Sequence, residues 1–294
     1  MSSTALTRAA RLGELWPGVT AALSFSAADI LAKVVFASGM DVVTMVTLRG
    51  VLVLPIIFVW LRFRPPLLWH TPRQRAFALL VGLVFTATQY SLMLAISLLP
   101  VSIAILAYFA YPLLTGIAGG ITGVDRLGWR ALLTAAAAFL GLALMLGSGF
   151  HQLSAPGIVW ALAAAGFRTV SLLLTRAYLN GTDARVTTWY SMLPSTLLFL
   201  LGAVAAADWQ TPGDLSGWAA FVGASMGITL STLLIYVSTN RVGPFRTAFI
   251  MNLEPLVTTI LSMLLLAELL TPVQALGATV MLVSLCVFQF VRVR

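Results

Sequence analysis

Charge is scarce in this chain: Asp, Glu, Lys and Arg make up 9% of its 294 residues, against about a quarter in a soluble globular domain. A single cysteine, Cys286, excludes a disulfide framework and a cysteine-built metal cluster. The only two histidines, His70 and His151, fall in separate connections and cannot share a metal centre. No Ser/His/Asp set, H-E-x-x-H or phosphate-loop sequence occurs, which leaves a hydrolase or an ATP-driven pump without support. Low-complexity linkers and long polar stretches are missing too, so no soluble domain is expected. The first apolar run, 16–37, is too long for a signal-peptide core and lacks a cleavage site.

What the chain has in abundance is apolar sequence. Apolar residues reach 60% and mean hydropathy is +1.00. A membrane-spanning helix needs about 20 such residues, and ten runs of that size follow one another. They cover roughly 16–37, 42–61, 76–97, 101–123, 128–147, 156–178, 185–206, 215–239, 245–267 and 272–291. The expected fold is an all-α polytopic membrane protein of ten transmembrane helices. A pI near 10.6 would suggest nucleic acid in a soluble protein, but here the basic residues sit at helix ends. Of 17 Lys and Arg, only Lys33, Arg49 and Arg168 lie inside spans. The other fourteen, Arg8 and Arg11 through Arg292 and Arg294, all fall on one side of a ten-span alternation. By the positive-inside rule that side, with both termini, is cytoplasmic. No nucleic-acid partner is expected; the surrounding partner is the lipid bilayer.

The chain also echoes itself. Pro112 precedes Asp125 by 13 residues and Pro255 precedes Glu268 by 13, each interval an apolar helix ending in an acidic break. A shift of 143 superposes the two stretches and places Pro100-Val101 on Gly243-Pro244. Pro17-Gly18 and Pro156-Gly157 open spans 139 apart. These intervals predict two repeats, 1–150 and 151–294, of five spans each. Five is odd, so the second copy enters from the opposite face. A 5+5 inverted repeat is the architecture of alternating-access carriers, with the solute site at the repeat interface near mid-membrane.

Ionisable residues inside spans mark the candidate site, because charge at membrane depth is costly and faces a bundle interior or wet cavity. They are Asp29, Lys33, Arg49, Arg168 and Glu254. Asp29 and Lys33 stand one turn apart and can pair, although Lys33 can also snorkel to the interface. Arg168 and Glu254 lie near mid-span, where a purely structural ion pair is the plain alternative to a binding role. Polar and aromatic stripes at helical spacing accompany them: Gln89 and Tyr90 in span three, Tyr108 and Tyr111 in span four, Trp160 in span six, Thr229, Thr232 and Tyr236 in span eight. For any single member, helix packing is the competing explanation. Spans five and ten carry no internal charge and are expected to face lipid or a second protomer, making them the candidate homodimer surface.

The stretch NLEPLVTTILSMLLLAELLTPVQALGATVMLVSL, residues 252–285, resembles the second-repeat signature of the EamA family of the drug/metabolite transporter superfamily, and 111–146 its first-repeat counterpart. Within the family the chain resembles YddG-type aromatic amino-acid exporters of bacterial inner membranes. The resemblance implies a central cavity built by spans 1–4 and 6–9, peripheral spans 5 and 10, no cofactor, and export of small metabolites such as amino acids. The family's glutamate-proline pair falls on Glu254 and Pro255; the first repeat has Tyr111 in the glutamate's place. In that setting Arg168, Arg49 and Lys33 would attract a carboxylate, and Asp29 or Glu254 an ammonium. The tyrosines and Trp160 would contact the side chain. Proton coupling is an alternative role for Glu254. Drugs, nucleobases or sugar phosphates are the alternative solutes, and an integral-membrane enzyme, a channel or a scaffold the alternative classes.

Overall fold

The computed structural model describes residues 13–99, 101–124, 128–146, 154–206, 209–266 and 271–288. Asp125, Glu268, Pro100, His151, Arg8, Arg11, Arg126, Arg292 and Arg294 therefore lie outside the described residues. Among those described there is no strand. The elements are α1 (Trp16–Ala37), α2 (Val42–Phe63), α3 (Pro72–Leu98), α4 (Val101–Tyr108), α5 (Tyr111–Thr122), α6 (Trp129–Leu146), α7 (Ala155–Tyr178), α8 (Ala184–Ala206), α9 (Leu215–Val242), α10 (Pro244–Ile250), α11 (Leu253–Leu266) and α12 (Pro272–Phe288).

Local sequence sets the starts. Asp41 accepts bonds from Val43 N and Thr44 N at 2.8 and 3.1 Å, Ser154 caps α7 and Asp214 caps α9, while Thr71 and Gln74 form a reciprocal box on α3. Prolines stand in the first turn of α1, α3, α7 and α10, where the missing N–H leaves no bond unmade.

Among the described residues, seven helical stretches are long and apolar enough to cross a membrane, and α6 and α12 contain shorter apolar helices. The expectation of ten uninterrupted spans needs one revision: spans four and nine are each broken in two. Span four breaks between Tyr108 and Tyr111, span nine between Ile250 and Leu253. Both breaks are tight turns, in which Ala110 (φ −67°, ψ −13°) and Met251 (φ −64°, ψ −13°) keep right-handed helical dihedrals at positions that the 143-residue shift does not superpose. Their bonds close over three residues rather than four, Ala110 N to Ala107 O and Asn252 N to Phe249 O. The cause is Pro112 and Pro255, which cannot donate and whose rings clash with the carbonyls of Tyr108 and Met251 four residues back.

Helix packing repeats under exchange of the two halves. The most extensive pairings are α1 with α9, its repeat counterpart α7 with α3, and α6 with α12. The last pair presses together at Gly141, where an added Cβ would run into the backbone of Gly277 and Met281. One exchange fails: α3 packs closely along α8, whereas the equivalent α9 meets α2 only lightly. Gly82 permits the tight contact, because a Cβ there would collide with the Ser191 carbonyl.

The arginine-bearing ends are laced across the halves. His70 Nε2 meets Thr187 Oγ1 at 2.9 Å and Arg185 Nη1 donates to the Arg64 carbonyl at 2.8 Å, while within the second half Arg185 pairs with Asp183 and Arg176 donates to the Asn240 carbonyl. Phe77 stacks on Tyr178 at 3.7 Å with Arg73 over both rings. At the other end two separate apolar clusters form, one joining α1, α2 and α9, the other α3, α4 and α7.

Candidate functional site

Each broken helix is held by a hydroxyl from the opposite repeat. The carbonyl of Tyr111, just before Pro112, accepts from Thr169 Oγ1 of α7 at 3.2 Å. The carbonyl of Glu254, just before Pro255, accepts from Ser26 Oγ of α1 at 3.0 Å. Ser26 and Thr169 are themselves 143 residues apart, the same interval that relates Tyr111 to Glu254. The duplication thus ties the residue before each proline to the opposite repeat.

Charge gathers where these staples meet. Arg168, next to Thr169, is 8% exposed and its guanidinium lies 5.9 Å from the Tyr111 ring centroid. Its electrostatic neighbours are Tyr108, Tyr111, Glu254 and Tyr236. Tyr108 and Tyr111 pack with ring centroids 5.4 Å apart and planes tilted by 38°, and Tyr111 Oη donates to the Ala248 carbonyl at 3.4 Å, tying one broken helix to the other. Asp29 accepts from Thr258 Oγ1 at 3.2 Å and stands close enough to Glu254 for the two carboxyls to repel. Arg168 and Glu254 are not in ion-pair contact among the described residues, and Arg168 Nε has no hydrogen-bond partner there. The plain structural pair is thus not what is built. A buried guanidinium with an unused donor, two aromatic faces and two half-buried carboxyls form a cluster suited to a solute with charge of both signs.

The remaining candidates lie around this cluster. Lys33 is exposed and within electrostatic reach of Asp29. Tyr90 and Trp160 meet edge to face at 6.4 Å as a pair of their own, 56% and 37% exposed. Gln89 is half-buried. Arg49 is 7% exposed and lines a separate crevice between α2, α3, α8 and α9, with Tyr236 the residue common to that crevice and to Arg168's surroundings. Ser26, Thr169 and Thr258 were not among the expected residues, nor were Ser191, Ser195 and Thr196 on α8. Thr188, Ser191 and Ser195 follow helical spacing in span seven, a legible stripe; nothing in the sequence joins Ser26 or Thr258 to a carboxyl distant along the chain.

Membrane-length helices, two of them broken at proline with polar groups at the breaks, define a polytopic membrane protein of the transporter type. The profile of the EamA-like transporter family matches residues 12–147 and again 155–289. The chain belongs to the EamA-like transporter family and is a multi-pass membrane transporter of the drug/metabolite kind. A search of curated protein sequences returned no match. A solved structure titled "Crystal structure of protein" is similar to this chain with a TM-score of 0.78 and 18% identity, over 94% of this chain and 97% of that one; the likeness is one of fold.

Proposed function

We propose that the chain exports amino acids, aromatic or otherwise apolar, across a bacterial inner membrane by alternating access. The observation that carries this reading is the cluster at the two helix breaks: Arg168 for a carboxylate, Glu254 and Asp29 for an ammonium, Tyr108 and Tyr111 for a side chain. The two five-span repeats, 1–150 and 151–294, are inverted with both termini cytoplasmic, and rock about this cluster. The laced arginine-bearing end is then the cytoplasmic gate, closed here, with solute access from the opposite end. Lys33, Gln89, Tyr90 and Trp160 serve the path on that side, and α6 with α12 forms the margin available to a second copy.

The test is exchange in liposomes preloaded with unlabelled amino acid, following uptake of labelled tryptophan, phenylalanine and leucine. Saturable exchange, lost in an Arg168→Ala protein that still elutes as a monodisperse species, is the expected result. Exchange of a phosphorylated sugar or nucleobase but of no amino acid would keep the carrier and overturn the substrate class. Flux that does not saturate and shows no countertransport would replace the carrier with a channel.

A further inference from the structure

The crevice at Arg49 is the second place where this bundle buries positive charge. It lies mid-bundle between α2, α3, α8 and α9, two pairs of helices that the duplication relates. Gly50 lets α2 press on α8 beside it, since a Cβ there would overlap the Thr196 side chain. Arg49 is more than nine-tenths buried as a residue, its Nε is buried without a partner, and its side chain makes no hydrogen bond or ion pair among the described residues. No carboxylate lines the crevice. An uncompensated buried cation is strongly unfavourable, so the arrangement asks for an anion.

The other lining groups say how the anion would be held. Thr196, Thr229 and Thr232 donate to carbonyls of their own helices at 2.7–2.8 Å. Tyr236 Oη donates to Ser191 Oγ at 2.9 Å, and Ser191 Oγ donates to the Thr188 carbonyl. Ser195, 6% exposed, makes no hydrogen bond among the described residues. The unused donors are therefore the Arg49 fork and the Ser195 hydroxyl. Free space in the crevice is about 20 Å³, the size of one water. That suits one small monovalent group better than a phosphate.

We propose that Arg49 and Ser195 form a subsite for a single monovalent anion, a carboxylate group or a halide, separate from the Arg168 cluster and joined to it through Tyr236. If the anion is a solute's own carboxylate, the subsite is a second station on the path and rests on the carrier reading above. If it is a halide, the subsite acts as a fixed counter-ion site at the repeat interface. A binding measurement that needs no transport keeps failure of the subsite distinct from failure of the carrier reading.

The experiment is thermal unfolding of the full chain in detergent, titrated with sodium acetate or sodium bromide against sodium isethionate at constant ionic strength. The expected result is a saturable rise of a few degrees in the unfolding midpoint, as for any ligand that binds only the folded state. Measured in an Arg168→Gln background, which removes the other buried guanidinium, the rise should remain and should vanish when Arg49→Gln is added. It should need at least tenfold more anion in Ser195→Ala and in Arg49→Lys, which keeps charge without the fork. A response to acetate assigns a carboxylate, a response to bromide a halide, and a response to both their shared site. No anion-specific rise in the unsubstituted protein overturns the proposal. So does the absence of a rise in the Arg168→Gln background, or a rise there that survives the added Arg49→Gln. If Arg49→Gln does not fold, unchanged anion requirements in both Ser195→Ala and Arg49→Lys overturn it instead.

Discussion

At Tyr111-Pro112 and at Glu254-Pro255 a span is broken in two, and the carbonyl before each proline accepts a hydroxyl from the other repeat. The residues at equivalent places then diverge. Tyr111 stands where the second repeat has Glu254, and Phe25, packed in the core, stands 143 residues before Arg168. At these two pairs of equivalent positions the first repeat has aromatic side chains and the second has charge. Duplication thus preserved what the backbone demands of a proline break and released the side chains, so the site is asymmetric although its scaffold is not.

The sharpest test of that division is the pair Arg168→Ala and Phe25→Ala. Loss of a charge-assisted contact worth about 3 kcal/mol lowers kcat/KM by roughly 100-fold. We expect that loss for Arg168→Ala in liposome exchange, and less than tenfold for Phe25→Ala. Equal losses would mean that the repeats share the chemistry after all. Next in size is the comparison of Glu254→Ala with Tyr111→Phe. Removing the carboxyl should slow exchange by about 30-fold, near 2 kcal/mol, while Tyr111→Phe keeps its ring beneath Arg168 and should change the rate less than about threefold.

The staples are expected to be alike. Ser26→Ala and Thr169→Val each remove one hydroxyl contact between the repeats, a cost of about 1 kcal/mol, although Thr115 Oγ1 still donates to the Tyr111 carbonyl at 2.7 Å. Their thermal unfolding midpoints should fall together, and a drop confined to one variant would show that the two breaks are not mechanically equivalent. The smallest effect concerns the laced end, where α3 meets α8 and the equivalent α9–α2 contact is light. Burial of His70 against Thr187 holds its pKa below the ordinary imidazole value. With the folded pKa depressed, its contribution is present above the unfolded value of about 6.5 and is lost as pH falls through the folded value. Unfolding midpoints between pH 7 and 5 should therefore fall more steeply for the unsubstituted protein than for His70→Gln, by less than about 1 kcal/mol.

Much of this architecture is legible in the order of the residues. Hydropathy locates the spans, and Pro112 and Pro255 mark where two of them are interrupted. A proline within an apolar run suggests a kink; the division of each span into two helices, with a bond closing over three residues, emerges only in the structure. Arg168, Glu254, Asp29, Tyr108 and Tyr111 stand out as polar groups in apolar runs, and the fold gathers them. It also places Arg49 in a crevice of its own and sets Tyr90 against Trp160, distinctions that helical spacing cannot draw.

Composition and periodicity by themselves determined that this chain is a membrane bundle, how many runs it has, and which few ionisable groups must be sheltered. These are local consequences of keeping charge and unpaired backbone out of an apolar medium. Tertiary structure alone decided which of those groups meet, that Arg168 and Glu254 stand near each other without contact, and that the two halves pack unequally at their laced end. Those outcomes depend on contacts between residues more than a hundred positions apart, and helix crossings set such contacts where periodicity along one helix carries no information about them.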